Sequence, residues 1–191
     1  MDQRTEVAWM LIYEMLIGSA TSIIPKTLEN VGDDYIGSLN KKLQQWTMTM
    51  GVTGLNREEE ANDVKHHIYK TLDEISQNGF DDLATAAALN KVEFQIRELN
   101  TKCGIPQGVH MFQTILTKWN YDEDPRLVLS YYNEFKKLRD ELEDPDNVEG
   151  KEFILELVTL GLIDNSARSV ATIYPSTSMQ ESAERVSIFM T

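Results

Sequence analysis

Apolar residues recur at helical spacing along most of this 191-residue chain, and period-two alternation is clear in only a few segments. Residues 4–17 predict a first helix, with Val7, Leu11 and Met15 on one face and Ala8 and Ile12 beside them. Gly18-Ser19 breaks it, and 22–31 reads as a short helix or turn with Pro25 tolerated in its first turn. In 43–53, Trp46, Met48, Met50 and Val52 alternate with Gln45, Thr47, Thr49 and Thr53, which predicts a strand. Its backbone groups need a sheet partner.

Val64, Ile68, Leu72 and Ile75 form the stripe of a helix that Asn56 and Glu59 cap and Asn78-Gly79 closes. Asp81 or Asp82 caps the next, whose stripe reads Leu83, Ala87, Leu89, Val92, Ile96 and Leu99. A turn at 104–108 leads to a helix over 109–118, then to the polar link 120–125. Tyr131, Phe135, Leu138 and Leu142 mark a further helix, followed by an acidic connector from Glu141 to Glu149. Phe153, Ile154, Leu157 and Leu160 mark the last, closed by Gly161. Residues 168–174 predict a second strand ending at Pro175, and from Gln180 onward a short helix or tail is expected.

These elements define an α+β class: several helices packed on an antiparallel sheet that is incomplete, with two strands visible. The expected organisation is one domain over 1–176, truncated on its N-terminal side. Residues 177–191 would be a C-terminal tail or the start of an interdomain linker.

Composition narrows the function more than it changes the fold. Hydrophobic residues at 41% and charged residues at 26% fit a globular protein. The formal net charge of -13 repels phosphate backbones, and no basic patch offsets it, so a nucleic-acid partner is not expected. Glu14 interrupts the apolar run from Ala8 to Ile17, so neither a membrane span nor a targeting peptide is expected. Cys103 is the single cysteine, which rules out an internal disulfide and a cysteine-based zinc site. It reads as a loop residue beside Lys102, with no triad around it.

No catalytic constellation emerges. The three histidines are His66, His67 and His110, and neither His-Glu-x-x-His nor its inverted form occurs. His66 and His67 project about 100° apart on a helix and cannot act as a pair one turn apart. Asp63 and His67 share a face, where a hydrogen bond is the simpler reading than a metal. Glu58, Glu59 and Glu60 are explained by the positive end of a helix dipole. Trp46 and its neighbouring methionines read as sheet packing, Trp119 and Tyr121 as packing or part of a binding wall, and Arg97 and Glu98 as solvent-facing or interfacial. The expected sets of catalytic, cofactor-binding and metal-binding residues are therefore empty.

Several segments together resemble a known family. The stretch Gly79 to Leu99, with Leu89-Asn90, Glu93-Phe94 and Arg97-Glu98, continues through Asn100-Thr101 and Gly104-Ile-Pro-Gln-Gly108. With Lys118-Trp119, Tyr121-Asp122, Asp124-Pro125, Gly32-Asp-Asp-Tyr35 and Tyr174-Pro175, it resembles the M16 zinc metallopeptidases of the presequence protease and falcilysin branch. The resemblance covers roughly residues 5–176 and is similar to the second domain of the amino-terminal half. It implies a parent with four related α+β domains that encloses unfolded peptides in a chamber and hydrolyses them at zinc. The family's His-x-x-Glu-His motif and its substrate-binding Arg and Tyr pair have no counterpart here.

The resemblance thus implies a non-catalytic chamber-wall domain, inactive alone, with Zn2+ in the parent and no cofactor in this segment. The implied partners are the missing catalytic domain and, in the parent, peptide substrates such as targeting presequences. An exposed sheet or helix surface could also support a homodimer. The implied compartment is the mitochondrion, with another organelle or the cytoplasm as alternatives. A second reading, from a different class, is a self-contained interaction module or a degenerate non-catalytic M16 subunit.

Overall fold

The computed structural model describes residues 2–55, 57–98, 107–173 and 186–190. Helices α1 (Gln3–Leu16), α2 (Ile23–Thr27), α3 (Glu58–Asn78), α4 (Asp82–Arg97), α5 (Gln107–Trp119), α6 (Tyr131–Glu143) and α7 (Glu149–Val158) accompany a four-stranded sheet. Its strands are β1 (Asp34–Asn40), β2 (Thr47–Leu55), β3 (Val170–Ile173) and β4 (Val186–Met190), in the order β1-β2-β4-β3 with every neighbouring pair antiparallel. The class is mixed α+β, with a small sheet packed against helices.

α1 is the axis of the core. Asp2 caps it by accepting the Thr5 N–H at 2.8 Å. Val7, Ala8, Leu11, Ile12, Met15 and Leu16 are all buried, because α4, α6 and α7 pack around it on different sides. A helix surrounded this way buries more than one stripe. That explains why its apolar positions run almost continuously.

The sheet departs from the expected pair of strands. β1 and β4 are additional, and 186–190, expected within a helix or tail, form an inner strand between β2 and β3. β2 begins at Thr47, so Trp46 precedes the strand and is half-buried. Tyr35, Gly37 and Leu39 on β1 stand opposite Val52, Met50 and Met48 on β2, which places them on the core face. The predicted strand end at Tyr174-Pro175 lies outside the described residues, as do Asn56, Leu99, Cys103 and the turn before Gln107.

α3 starts one residue later than its expected cap: the Arg57 N–H donates to Glu60, at 3.4 Å. Gly79 closes the helix with φ +80°, a backbone conformation that costs glycine nothing. On α4 the expected stripe is corrected at its start. Leu83 is 79% exposed, whereas Ala88, Leu89 and Val92 are buried. Six residues at about 100° each set Leu83 about 120° around the helix from Leu89, which turns it away from the buried face. Leu160 is likewise 59% exposed, because α7 passes into a wider turn over Thr159–Ile163 instead of ending at Gly161.

Gly37 marks a close approach between sheet and α1. A Cβ built there would lie 1.8 Å from Ile17 Cγ2, and Ile17 is buried. Gly37→Ala is expected to cost about 1–3 kcal/mol through overpacking. Gly108→Ala, with nothing within 4 Å of the added atom, should be neutral or mildly stabilising. Urea unfolding of both variants checks the contrast.

Candidate functional site

The site with the most chemistry is a cavity of about 470 Å³ between α1, α4, α5, the start of α6 and the β1–β2 turn. One wall is ionic. Glu6, on the buried side of α1, receives the Lys118 ammonium on one oxygen and the Tyr131 hydroxyl on the other. Lys118 also donates to Glu123 Oε2 at 2.6 Å, so a single cation bridges two carboxylates. Glu6 is 1% exposed and Lys118 8%.

The charges of this cluster sustain one another. Burial pulls the Lys118 ammonium down, but its hydrogen bonds to Glu123 and Glu6 outweigh that, and its pKa is raised. Burial also holds the Tyr131 hydroxyl protonated well above its ordinary range, and the hydrogen bond to Glu6 adds to the effect. The hydroxyl is therefore a fixed donor. Such a cluster ties α1 to α5 and α6, and it offers neither a free base nor an activated nucleophile.

A second buried carboxylate lies eight residues further along α1. Glu14 accepts from Gln95 Nε2 at 2.6 Å, and its other oxygen lies 2.6 Å from Lys91 Nζ. That second oxygen has no well-directed hydrogen bond, so Lys91 compensates it by charge alone. Lys91 also reaches the Gly18 carbonyl at 2.5 Å, which fastens α4 to the end of α1.

The opposite side of the cavity is apolar, with Met10, Leu39, Trp46, Ile96 and Met111, and Lys41 stands at its rim. The Lys41 ammonium lies 3.6 Å from Met10 Sδ and 5.9 Å from the Trp46 ring centroid. Partial burial lowers its pKa, against the more distant charges of Glu14 and Glu6. Met48 and Met50, expected as sheet packing, are buried in the core, and both reach the edge of a second cavity of about 680 Å³ bounded by Trp9 and Trp46.

The residues weighed from the sequence do not converge on this cavity. His67 Nδ1 bonds the Asp63 backbone carbonyl at 2.6 Å, and the His66 and His67 rings meet edge to face at 6.3 Å. His110 falls on α5, in a part of the helix whose side chain is not described. Arg97 pairs with Glu93 at 2.7 Å and donates to the Tyr132 hydroxyl, with its guanidinium 4.8 Å from that ring. Trp119 is 62% exposed at the end of α5. Among the described residues no group of three or more His, Cys, Asp or Glu side chains could hold a metal ion, so these residues do not fit a zinc centre. No described helix is long and apolar enough to cross a membrane.

The ionic ties of α1 were missed because their partners are 112 and 125 residues away in sequence. A signal was present: Glu6 borders and Glu14 interrupts the apolar run of α1 from Val7 to Leu16, and a buried carboxylate requires a donor.

Fold and site together define an α+β fold braced by buried ion pairs. No family model matches the chain. Its similarity to known proteins is nevertheless extensive. It is 28% identical over 179 residues to presequence protease 1, chloroplastic/mitochondrial, of Arabidopsis thaliana, covering 92% of this chain and 16% of that protein. It is 25% identical over 184 residues to the protein HypA of Clostridium perfringens, covering 94% of this chain and 18% of that one. The mitochondrial presequence protease of Danio rerio is 27% identical over 133 residues, covering 68% of this chain and 12% of its own length. The chain thus spans less than a fifth of the curated relatives it matches. Over most of its own length the chain is similar to presequence proteases.

Proposed function

We propose that this chain is a non-catalytic wall domain of a larger M16 zinc metalloendopeptidase of the presequence protease and falcilysin branch. It corresponds to the second domain of the amino-terminal half. The carrying observation is the alignment itself: nearly the whole chain, 92%, maps onto 16% of a long peptidase. A segment used in this way packs beside a catalytic domain and bounds the chamber. The parent would degrade unfolded peptides such as targeting presequences, in the mitochondrion or a related organelle, with zinc carried by another part of the polypeptide. The acidic balance of this segment suits basic peptides passing along it.

The test compares the 191-residue chain with its full-length parent for zinc content and for cleavage of a fluorogenic presequence peptide. The parent should show one zinc and metal-dependent cleavage, and the chain alone neither. Stoichiometric zinc together with chelator-sensitive cleavage by the chain alone would overturn the proposal.

The second reading, a self-contained interaction module or degenerate subunit, draws on α1, whose apolar residues are buried by this chain's own helices. The upstream coding sequence separates the two readings. An open frame encoding His-x-x-Glu-His favours the peptidase domain, and a native start at Met1 favours the module.

A further inference from the structure

Of the three lysines that line the 470 Å³ cavity, Lys118 alone has an ion pair among the described residues. Lys118 is neutralised by Glu6 and Glu123. Lys41 forms no ion pair with a carboxylate among the described residues, and its ammonium is set against the Met10 sulfur and the Trp46 ring. A thioether and an indole face stabilise a cation weakly and leave its charge in place. The adjacent Lys42 also lines the cavity, so the rim carries positive charge above an apolar recess. This local sign opposes that of the chain as a whole, whose net charge is -13.

From this charge complementarity we propose that the cavity binds a small apolar carboxylate, with the anion on Lys41 and the chain in the recess of Met10, Trp46, Ile96 and Met111. The volume suits such a ligand, since small-molecule sites run from about 300 to 1,000 Å³. Partial burial lowers the Lys41 pKa, and no close carboxylate among the described residues offsets it. Two sources present this chemistry: a medium-chain fatty acid and the C-terminal end of an apolar peptide. The inference stands apart from the peptidase reading, because it rests on this chain's own side chains.

The experiment is a titration of the 191-residue chain carrying methyl-labelled methionines, followed by NMR. The probes are octanoate and N-acetyl-leucyl-phenylalanine, each as free acid and as amide. An acid should shift the Met10 and Met111 methyls, with its amide at least about tenfold weaker, since a charge-assisted hydrogen bond is lost. Lys41→Gln should abolish the preference for acid over amide, and Lys42→Gln should retain most of it. Binding of octanoate alone assigns the lipid source, and binding of the peptide acid alone assigns the peptide source. Equal binding of acid and amide overturns the proposal, as does the absence of any Met10 or Met111 shift into the millimolar range. Lys41 lies in an exposed turn, so unchanged shifts of the remaining methionines will establish that Lys41→Gln is folded.

Discussion

Lys118→Met is expected to destabilise the chain by about 3–5 kcal/mol, because it strips the charge partner from a buried carboxylate. Glu6 would keep only the Tyr131 hydroxyl, while its own 1% exposure denies it water. The loss should appear as a lower urea midpoint with an unchanged slope. For a chain of this size it corresponds to a melting temperature lower by about 10 °C or more. The pH sign follows from the raised pKa of Lys118. Its contribution is full at neutral pH and fades only as pH climbs from the ordinary value of 10.5 through the raised folded one. Replacing the cluster together, as Glu6→Leu, Lys118→Met and Tyr131→Phe, should recover most of the loss, since no buried charge is then orphaned. A single Lys118→Met variant within about 0.5 kcal/mol of the parent chain would show that this bridge is not what fastens α5.

Phe135→Ala should cost a similar amount, about 3–5 kcal/mol, for a different reason. Phe135 is fully buried on α6, where that helix meets α1, α4 and α7, and its ring stacks on Tyr132 at 6.4 Å. Removing the ring leaves a void shared by four helices, and none can close it without disturbing its other contacts. Phe135→Leu should recover more than half of the loss by refilling volume. The check is urea unfolding of both variants. A cost below about 1 kcal/mol for alanine would mean that the helices collapse onto the space.

The helices were legible because each buries one periodic stripe. Val64, Ile68, Leu72 and Ile75 on α3 and Phe135 and Leu138 on α6 lie buried where their spacing puts them. β1 escaped notice because Gly37 removes the middle member of the alternation Tyr35, Gly37, Leu39, and that glycine is present to let Ile17 approach. β4 was hidden in a different way. Its backbone partners lie far off in β2 and β3, and a five-residue run is too short to declare its period. The candidate cavity was not legible at all. Lys41, Trp46, Ile96 and Met111 belong to a turn and two helices, and no local pattern relates them.

Local sequence determined where helices start and stop, which chain segments are apolar, and that no familiar metal motif is present, since caps, periods and motifs act within a few residues. Tertiary packing decided the rest. It set the strand order, the burial of Glu6 and Glu14 with their distant partners, and the two lysines, Lys41 and Lys42, that meet at a cavity rim without an ion pair among the described residues. Burial and charge pairing are properties of the space between elements, and residues more than a hundred positions apart meet only after the chain has folded.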